Sequence, residues 1–167
     1  MKGTLDIRPA GLEDIQAILD IWNPVLRDDL ATFNPVEKTP EDIADMIAQK
    51  SQAGHPLLVG LVAGQVAGFA TYGAFRNGMG YAHTMEHTIY LAPSAQGRGL
   101  GRALMQALET MARGAGVHSL FAGISAANSE GQAFHTAMGY TQVATLKEVG
   151  RKKGVWLDLV LMQKFLT

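Results

Sequence analysis

Hydrophobic and polar residues follow two different periods along this chain, and the changes of period mark the predicted elements. Residues 5–9 alternate apolar and polar side chains in the way of a half-buried strand. Residues 12–22 then repeat apolar side chains at helical spacing, with Asp14 in the first turn. The segment 23–38 has no regular period and contains prolines and three adjacent charges, so we predict a loop or a broken helix there.

The next part of the chain predicts a helix followed by three strands. The helix begins at Thr39, a hydroxyl residue that precedes a proline and two acidic residues. Residues 57–63 and 66–74 are apolar segments around a short turn, which predicts a hairpin. The run 56–75 has no charged residue and spaces its glycines as membrane helix dimers do. Its division at the turn favours two buried strands instead, and the β-forming residues of 84–91 predict the next strand.

The clearest helix is predicted at 99–115, because its apolar residues fall on one stripe. A strand at 119–124 follows it. The predicted buried stripe of the helix consists of Leu100, Ala103, Leu104, Ala107, Leu108, Met111, Ala112 and Ala115.

A short helix and two strands complete the chain. The helix is predicted at 129–138 and is closed by Gly139. The strands are predicted near 140–148 and 155–164, with a turn at 150–154 between them. The resulting order, β-α-α-β-β-β-α-β-α-β-β, predicts an α/β (α+β) domain with a mixed sheet covered by helices on both faces. We expect one domain over residues 1–167.

Composition argues against several classes of function and of binding site. Lys and Arg total 14 against 15 Asp and Glu, so the net charge of −1 argues against a nucleic-acid partner. The absence of cysteine excludes disulfides, thiolate catalysis and cysteine–zinc sites. The start of the chain reaches a charge before any apolar stretch, so we expect no secretory signal, no membrane association and a cytoplasmic protein.

The most informative segment is 96–102, which reads Gln-Gly-Arg-Gly-Leu-Gly-Arg between a predicted strand and the clearest helix. Alternating glycines allow backbone N–H groups to approach an anion, and the helix N-terminus and two arginines add positive charge. The segment therefore predicts a pyrophosphate site, although a tight turn alone is the alternative. The segment matches neither of two common nucleotide-binding motifs. A Walker loop ends in Gly-Lys-Ser/Thr, which is absent here, and a Rossmann fingerprint has a glycine at the position of Arg102.

The pattern Gln-x-x-Gly-x-Gly at 96–101 resembles the acetyl-CoA signature of the GNAT superfamily of N-acetyltransferases. Further motifs along the whole chain resemble the phosphinothricin and methionine sulfoximine acetyltransferase branch. These motifs are Ile7–Arg8–Pro9, Trp22–Asn23, Phe75–Arg76, 83–91, Asn128 with His135 and Gly139–Tyr140, Trp156–Leu157–Asp158, and Met162–Gln163. The resemblance implies the GNAT fold, a mixed and mostly antiparallel sheet of about seven strands with helices on both faces.

The resemblance also implies how acetyl-CoA, the cosubstrate, binds. In the family it lies in a V between the fourth and fifth strands. Backbone groups of Ile89, Tyr90 and Leu91 then contact the pantetheine arm and the thioester. The pyrophosphate is implied to contact Gln96, Gly97, Arg98, Gly99, Leu100, Gly101 and Arg102. Asn128 is implied as a coenzyme contact or, compatibly, as a helix N-cap.

Glu86 is the implied catalytic base. An α-amine has a pKa of about 8 and is largely protonated at neutral pH, so a base acting directly or through water assists transfer. On a regular strand Glu86 and Thr88 share one face and His87 lies on the other, although a β-bulge would change this sidedness. The alternative interpretation of Glu86 is a surface charge on a strand.

His135 is the second implied catalytic residue. Many superfamily members have a tyrosine there that donates a proton to the coenzyme thiolate, whereas the phosphinothricin branch has histidine. With an ordinary pKa of about 6.5, His135 would donate that proton or organise a water chain. The alternative is a histidine packed beside Phe134.

The acceptor amine is implied to bind near the end of the hairpin. A guanidinium at Arg76 is suited to a bidentate contact with an amino-acid carboxylate. Arg27, Asp28 and Asp29 lie in the variable loop that closes the acceptor pocket in relatives. The implied substrate-binding residues are Phe75, Arg76, Asn77, Glu86, His87 and Thr88.

A metal site is the competing interpretation of 83–87, because His-Thr-Met-Glu-His fits the inverted zinc-peptidase motif. That motif needs a helix to bring both histidines to one face. The β-forming residues around it predict a strand, so we predict no metal.

The sequence therefore predicts an acetyl-CoA-dependent N-acetyltransferase that acts by direct transfer in a ternary complex. The expected acceptor is the amine of a small amino-acid-like molecule such as methionine sulfoximine, methionine sulfone or phosphinothricin. The alternatives are a protein N-terminus, a lysine or a polyamine as acceptor, and a non-catalytic acyl-CoA-binding module. A homodimer is expected from the resemblance, with the apolar strand 155–161 contributing to its interface.

Overall fold

A computed structural model describes residues 3–167, which form seven strands and four α-helices. The strands are β1 (Leu5–Pro9), β2 (Leu57–Val62), β3 (Gln65–Ala74), β4 (Thr84–Leu91), β5 (Ser119–Ser125), β6 (Thr141–Lys152) and β7 (Val155–Phe165). The helices are α1 (Ile15–Asp28), α2 (Pro40–Ala53), α3 (Leu100–Gly114) and α4 (Ser129–Ala137). Met1 and Lys2, which open the stretch used to predict the lack of a secretory signal, lie outside the described residues. The predicted order of elements is confirmed.

All seven strands join one sheet in the order β1-β2-β3-β4-β5-β7-β6. Neighbouring strands are antiparallel except β4 and β5, which are parallel. A parallel pair needs a crossover connection, and α3 provides it here. The predicted mixed and mostly antiparallel sheet is therefore confirmed.

The parallel pair is short, and this shapes the middle of the sheet. β4 and β5 pair only from Thr84–Ser119 to His87–Ala122. Beyond that point β4 stays paired with β3 as far as Leu91, and β5 stays paired with β7 as far as its last residue. The two strands thus separate at their carboxyl ends, and a V-shaped crevice opens beside the start of α3.

Helices cover both faces of the sheet, as predicted. On one face α3 buries Leu100, Leu104 and Leu108 against the sheet. On the other face Ile18 of α1 and Ile43 of α2 pack against the opposite side of the strands. Full burial of one such side chain contributes roughly 1.5–3 kcal/mol, so the sheet is held between two apolar layers.

The uncharged run 56–75 forms the β2–β3 hairpin, which confirms the preference for strands. Its glycine spacing has a packing role, because Gly60 and Gly68 face each other across the hairpin. A Cβ at Gly60 would lie 2.7 Å from Leu100 Cδ1, so glycine allows α3 to approach the sheet.

No helix within residues 3–167 is long and apolar enough to cross a membrane.

The segment 23–38 differs from the prediction, because α1 continues through Pro24 to Asp28. A proline inside a helix removes a hydrogen bond, which is why the sequence predicted an interruption. Burial of Leu26, which is 2% exposed, holds the last turn in place. The N–H of Asp29 also bonds the carbonyl of Val25 and ends the helix there.

The buried face of α3 is rotated relative to the predicted stripe. Met111 is 46% exposed and Ala115 is exposed, whereas Met105 and Glu109 are buried. The predicted stripe did not include Glu109, which is charged. The structure buries it because Lys164 of β7 supplies a counter-charge 2.5 Å from Oε1.

The last turn is shorter than the predicted one at 150–154. β6 extends to Lys152, so only Lys153 and Gly154 connect β6 to β7. Both residues have positive φ, 51° and 75°, as the two central residues of a type I′ hairpin turn require.

Candidate active site

The V between β4 and β5 forms a crevice with a volume of about 480 Å³, and several of the predicted site residues line it. Its walls come from β4, β5, the start of α4, the glycine segment before α3 and the end of α1. Small-molecule sites in proteins commonly have volumes of about 300–1,000 Å³. The crevice therefore has the size and the position of a ligand site.

The glycine segment lies at the end of this crevice nearest α3. Gly97 and Gly99 have φ of 74° and 84°, in the left-handed region that favours glycine. A Cβ at either position would have no atom within 4 Å, so the backbone conformation, and not crowding, calls for glycine. The first N–H groups of α3 have no partner within the helix, and such groups bind anions.

Gly101 has a different role in the same segment. A Cβ there would lie 3.2 Å from Phe134 Cε2 and 3.3 Å from Leu91 Cδ1. Gly101 thus allows the first turn of α3 to lie close to α4 and the end of β4. Nearby, Arg98 Nε donates to the carbonyl of Ser94 at 3.0 Å, which fixes that guanidinium beside the loop.

The implied pantetheine contacts, Ile89, Tyr90 and Leu91, all line the crevice. They belong to the part of β4 that lies beyond its pairing with β5. Their main chain on that side is available to a ligand, as an unpaired strand edge is available to an added strand.

Asn128 lies at the start of α4 and also lines the crevice. Its Oδ1 accepts a hydrogen bond from the N–H of Gly131 at 2.9 Å, so it is the N-cap of the helix. The same position keeps its side chain at the mouth of the V.

Glu86 and Thr88 lie on the face of the sheet covered by α1 and α2, and His87 lies on the opposite face. β3 and β4 pair without a register shift along the whole of β4, so the side chains alternate regularly. Gly73 pairs with Glu86, and Lys50 of α2 lies 3.2 Å from a Cβ placed on Gly73. The predicted sidedness is therefore confirmed, and no β-bulge disturbs it.

The Glu86 carboxylate lies beside β5. Its Oε2 is 3.2 Å from the position that a Cβ of Gly123 would occupy, so this strand glycine leaves room for it. The side chain stays open to solvent, yet the protein around it raises the pKa of Glu86 through desolvation. A carboxylate with a raised pKa is a stronger base than an ordinary one.

His87 and His135 form a buried pair on the other face, and each is only 6% exposed. Their Nε2 atoms are 2.9 Å apart, and His135 Nδ1 is 2.7 Å from the carbonyl of Gly131. A carbonyl only accepts, so His135 carries its proton on Nδ1, and His87 Nε2–H must donate to His135 Nε2. His87 Nδ1 is then an acceptor, and it has no hydrogen-bond partner among residues 3–167.

Burial keeps this pair uncharged. Desolvation lowers the pKa of His87 to about 3, with a smaller contribution from the electrostatic interaction with His135. Desolvation also lowers the pKa of His135. Both rings are therefore neutral at neutral pH, and both nitrogens of His135 are engaged in hydrogen bonds.

Of the six predicted acceptor residues, two line the crevice, and Glu86, Phe75, Arg76 and Asn77 are outside its lining. His87 and Thr88 line the crevice. Phe75 stacks on Phe121 with ring centroids 4.5 Å apart, next to the β4–β5 pair. Arg76 and Asn77 are exposed beyond the end of β3, and the Arg76 guanidinium lies 5.9 Å from the Phe75 ring.

Sequence reasoning missed several residues of the site. Val25 and Ala31 line the crevice, and Gly123 accommodates Glu86. A glycine inside a strand is a recognised sign of close approach, so Gly123 carried a signal. Val25 and Ala31 carried none, because their position depends on how the end of α1 folds back over the sheet.

The zinc motif is not arranged as a metal site. His83 precedes β4 and its Nδ1 lies 2.9 Å from the carbonyl of Gly116, whereas His87 is buried against His135. Over the described range 3–167, no group of three or more His, Asp or Glu side chains could hold a metal ion.

Comparison with known proteins relates this geometry to one family. The profile of the "Acetyltransferase (GNAT) family" matches residues 18–140. The L-methionine sulfoximine/L-methionine sulfone acetyltransferase of Pseudomonas paraeruginosa is 37% identical over 161 residues, covering 94% of this chain and 92% of that protein.

Two solved structures are similar over nearly the whole chain. The ribosomal-protein-alanine N-acetyltransferase from Brucella melitensis is 40% identical with a TM-score of 0.92, covering 96% of this chain and 99% of that one. A phosphinothricin acetyltransferase from Sinorhizobium meliloti in complex with acetyl-CoA is 32% identical with a TM-score of 0.91, covering 99% and 89%. These matches confirm the resemblance drawn from the glycine motif: the chain belongs to the GNAT acetyltransferase family and is an N-acetyltransferase.

Proposed function

We propose that this enzyme transfers the acetyl group of acetyl-CoA to the amine of a small amino-acid-like molecule of the methionine sulfoximine, methionine sulfone or phosphinothricin type. The observation that carries the proposal is the V between β4 and β5, with the glycine segment at its end and Glu86 beside it. The names of the Pseudomonas and Sinorhizobium relatives support both the acceptor class and the cosubstrate.

The V fits the parts of acetyl-CoA. A pantetheine arm carries amides that can pair with the free edge of β4 at 89–91 in the manner of an added strand. A diphosphate suits the N–H groups of 97–102 and the start of α3, near the charges of Arg98 and Arg102. Asn128 lines the V, and we propose that it contacts the coenzyme.

The chemistry needs a neutral amine. Glu86 accepts a proton from the substrate ammonium, directly or through water, and the nitrogen lone pair then attacks the thioester carbonyl carbon. The C–N bond forms, the C–S bond breaks, and the coenzyme leaves as a thiolate that takes up a proton. The chain has no cysteine to carry the acetyl group as an enzyme thioester, which favours direct transfer within a ternary complex.

His135 enters this proposal as half of a pair. Its own nitrogens are occupied by His87 and Gly131, so it is not a free acid beside the thiolate. Within the described part of the chain, His87 Nδ1 is the nitrogen of the pair that has no hydrogen-bond partner, and through it the pair can hold a water molecule. We therefore assign the pair the role of ordering the water that protonates the thiolate.

Arg76 is proposed to bind the acceptor carboxylate. It is exposed near the Glu86 face of the sheet, and it forms no ion pair among residues 3–167. Its guanidinium is thus available for a bidentate contact.

A protein N-terminus is the second candidate acceptor, because the Brucella relative is named as a ribosomal-protein-alanine N-acetyltransferase. It differs from the first candidate in the length of the acceptor, since a peptide must extend out of the crevice.

The test is release of coenzyme A thiol from acetyl-CoA with a panel of amines. We expect turnover with methionine sulfone or methionine sulfoximine, and little with alanine-initiated peptides, lysine or polyamines. Turnover confined to peptides would favour the second candidate. Tight acetyl-CoA binding without turnover on any amine would identify a non-catalytic acyl-CoA-binding module and refute the proposal.

We also propose a homodimer formed through the β6–β7 hairpin. Within the predicted interface segment 155–161, Leu157 and Val160 are buried in the monomer core, so they cannot form it. Large apolar side chains are instead exposed along β6 and the start of β7, namely Val143, Leu146, Val149, Val155 and Trp156. Light scattering coupled to gel filtration should give twice the chain mass, and a monomer at micromolar concentration would refute this proposal.

A further inference from the structure

Lys152, the last residue of β6, carries a buried charge that the catalytic proposal does not use. Its side chain is 3% exposed. Nζ donates to the carbonyl of Val25 at 3.2 Å, to Thr32 Oγ1 at 3.1 Å and to the carbonyl of Asp29. All three acceptors lie more than a hundred residues earlier, at the end of α1 or just after it.

The three acceptors match the chemistry of an ammonium group. Lysine has three N–H donors, so each finds one oxygen and none is left unpaired in the interior. The end of a helix carries partial negative charge on its last carbonyls, which stabilises a cation there. Desolvation lowers the pKa of Lys152, and the charges of Asp29 and Asp28 act against that shift. The site is therefore complete as it stands, without a ligand.

Two of the three oxygens that hold Lys152 belong to residues that line the crevice. Val25 and Asp29 line the V, together with Ala31. Trp22 of α1 packs on Tyr90 of β4, with ring centroids 5.8 Å apart. Since Tyr90 has the same parity along β4 as Glu86, this wall stands on the face where Glu86 meets the amine.

Other contacts to the segment after α1 are weaker or lie at its far end. Lys153 Nζ donates to the carbonyl of Asp28 at 2.7 Å, but this bond is exposed. The ion pair of Arg27 with Glu37 is exposed as well. Asn23 holds the main chain of Lys38, ten residues after the helix ends. Lys152 is thus the buried polar attachment for the part of the segment that forms the crevice wall, beside the apolar contacts of Leu26 with the core and of Phe33 with Gly150.

We propose that Lys152 is a positioning residue for the acceptor amine. It fixes the segment 25–32 over the Glu86 face, so that the crevice has a defined wall on the acceptor side. The inference rests on the proposed acetyl transfer, because it assigns that wall to the acceptor and the glycine segment to acetyl-CoA.

The test compares Lys152→Met with Lys153→Met in the full-length protein. Methionine keeps much of the side-chain length and removes the charge in both cases. In Lys152→Met we expect hydrogen exchange in peptides covering 25–32 to accelerate by about tenfold or more, because loss of the anchor allows local opening. We expect KM for methionine sulfone to rise by about tenfold, equivalent to ~1.4 kcal/mol, while KM for acetyl-CoA changes by less than about twofold.

Lys153→Met should leave all three quantities within about twofold of the unmodified enzyme, because its bond is exposed. Unchanged exchange and an unchanged KM for methionine sulfone in Lys152→Met would overturn the proposal. An equal rise in both KM values would also overturn it, since that indicates general disruption.

Thr32→Val provides the second variant if Lys152→Met does not fold. It removes one acceptor and leaves the lysine in place, so a smaller change in the same direction is expected in exchange and in KM for methionine sulfone. No change in either would refute the role of Lys152. Absence of turnover in the unmodified enzyme with every amine refutes the proposed function, whereas the exchange measurement still tests the anchor.

Discussion

Replacement of Gly99 by alanine tests whether the glycine segment binds acetyl-CoA, and the chain offers a matched control. Gly99 has φ 84° and ψ 3°, and it begins α3. Gly54 has φ 70° and ψ 22°, and it ends α2 away from the crevice. A Cβ at either position meets no atom within 4 Å. Both substitutions therefore add backbone strain without a collision, and only their location differs.

The expected magnitude follows from that strain. An L-residue in the left-handed region costs roughly 1–2 kcal/mol relative to glycine. If the segment relaxes in the free Gly99→Ala enzyme, binding must restore the strained conformation. Since ~1.4 kcal/mol is a factor of ten, KM for acetyl-CoA should rise about 5- to 30-fold. Gly54→Ala should lower the free energy of unfolding by a similar amount and leave KM unchanged.

Initial rates at varied acetyl-CoA and saturating methionine sulfone give KM, and urea unfolding gives stability. KM reports binding only if acetyl-CoA dissociates faster than it reacts, so direct titration calorimetry should accompany the kinetics. An unchanged affinity for acetyl-CoA in a destabilised Gly99→Ala enzyme would refute the assignment. A comparable loss of affinity in Gly54→Ala would refute the reasoning from location.

Four further predictions concern three single side chains. Glu86→Gln should lower kcat by about 10²–10⁴-fold with little change in KM for acetyl-CoA, and a smaller loss would contradict its role as base. Because desolvation by the surrounding protein raises the pKa of Glu86, the protonated form that cannot accept a proton persists to higher pH, and the acid limb of a steady-state pH profile should lie above the ordinary pKa of a glutamate side chain. Arg76→Ala should raise KM for methionine sulfone about tenfold at unchanged kcat, whereas an equal fall in kcat would contradict the carboxylate contact. Lys164→Met leaves the Glu109 side chain, which is 3% exposed, without its partner, and urea unfolding should show a loss of about 3–5 kcal/mol, while a loss below ~1 kcal/mol would show that the pair is dispensable.

Most of the fold follows from local patterns in the sequence. Strand β4 was predictable to the residue, because a run of β-forming side chains ends at a proline. The side chains of β4 alternate with a period of two, so the face occupied by Glu86 followed from the strand assignment alone. The position of the glycine segment was predictable because alternating glycines before a helix are typical of an anion-binding loop.

The parts that were wrong or missed depend on distant residues. Glu109 is buried because Lys164, 55 residues later, supplies a partner, and no pattern within α3 records this. Pro24 remains inside α1 because Leu26 is buried in the fold, which outweighs the local cost of proline. Lys152 resembles any lysine of an exposed edge strand until the end of α1 folds against it. Local periodicity cannot show such pairs, because both partners must already be in place.

The short pairing of β4 with β5 also means that few residue pairs join the two halves of the sheet. One half contains β1 to β4 and the other contains β5, β7 and β6, and within the sheet the ladder from Thr84–Ser119 to His87–Ala122 joins them. A molecule bound by main-chain contacts to both strands would bridge the halves and restrain their relative motion. The unfolding temperature should therefore increase with acetyl-CoA concentration by mass action, so the cosubstrate also stabilises the folded enzyme.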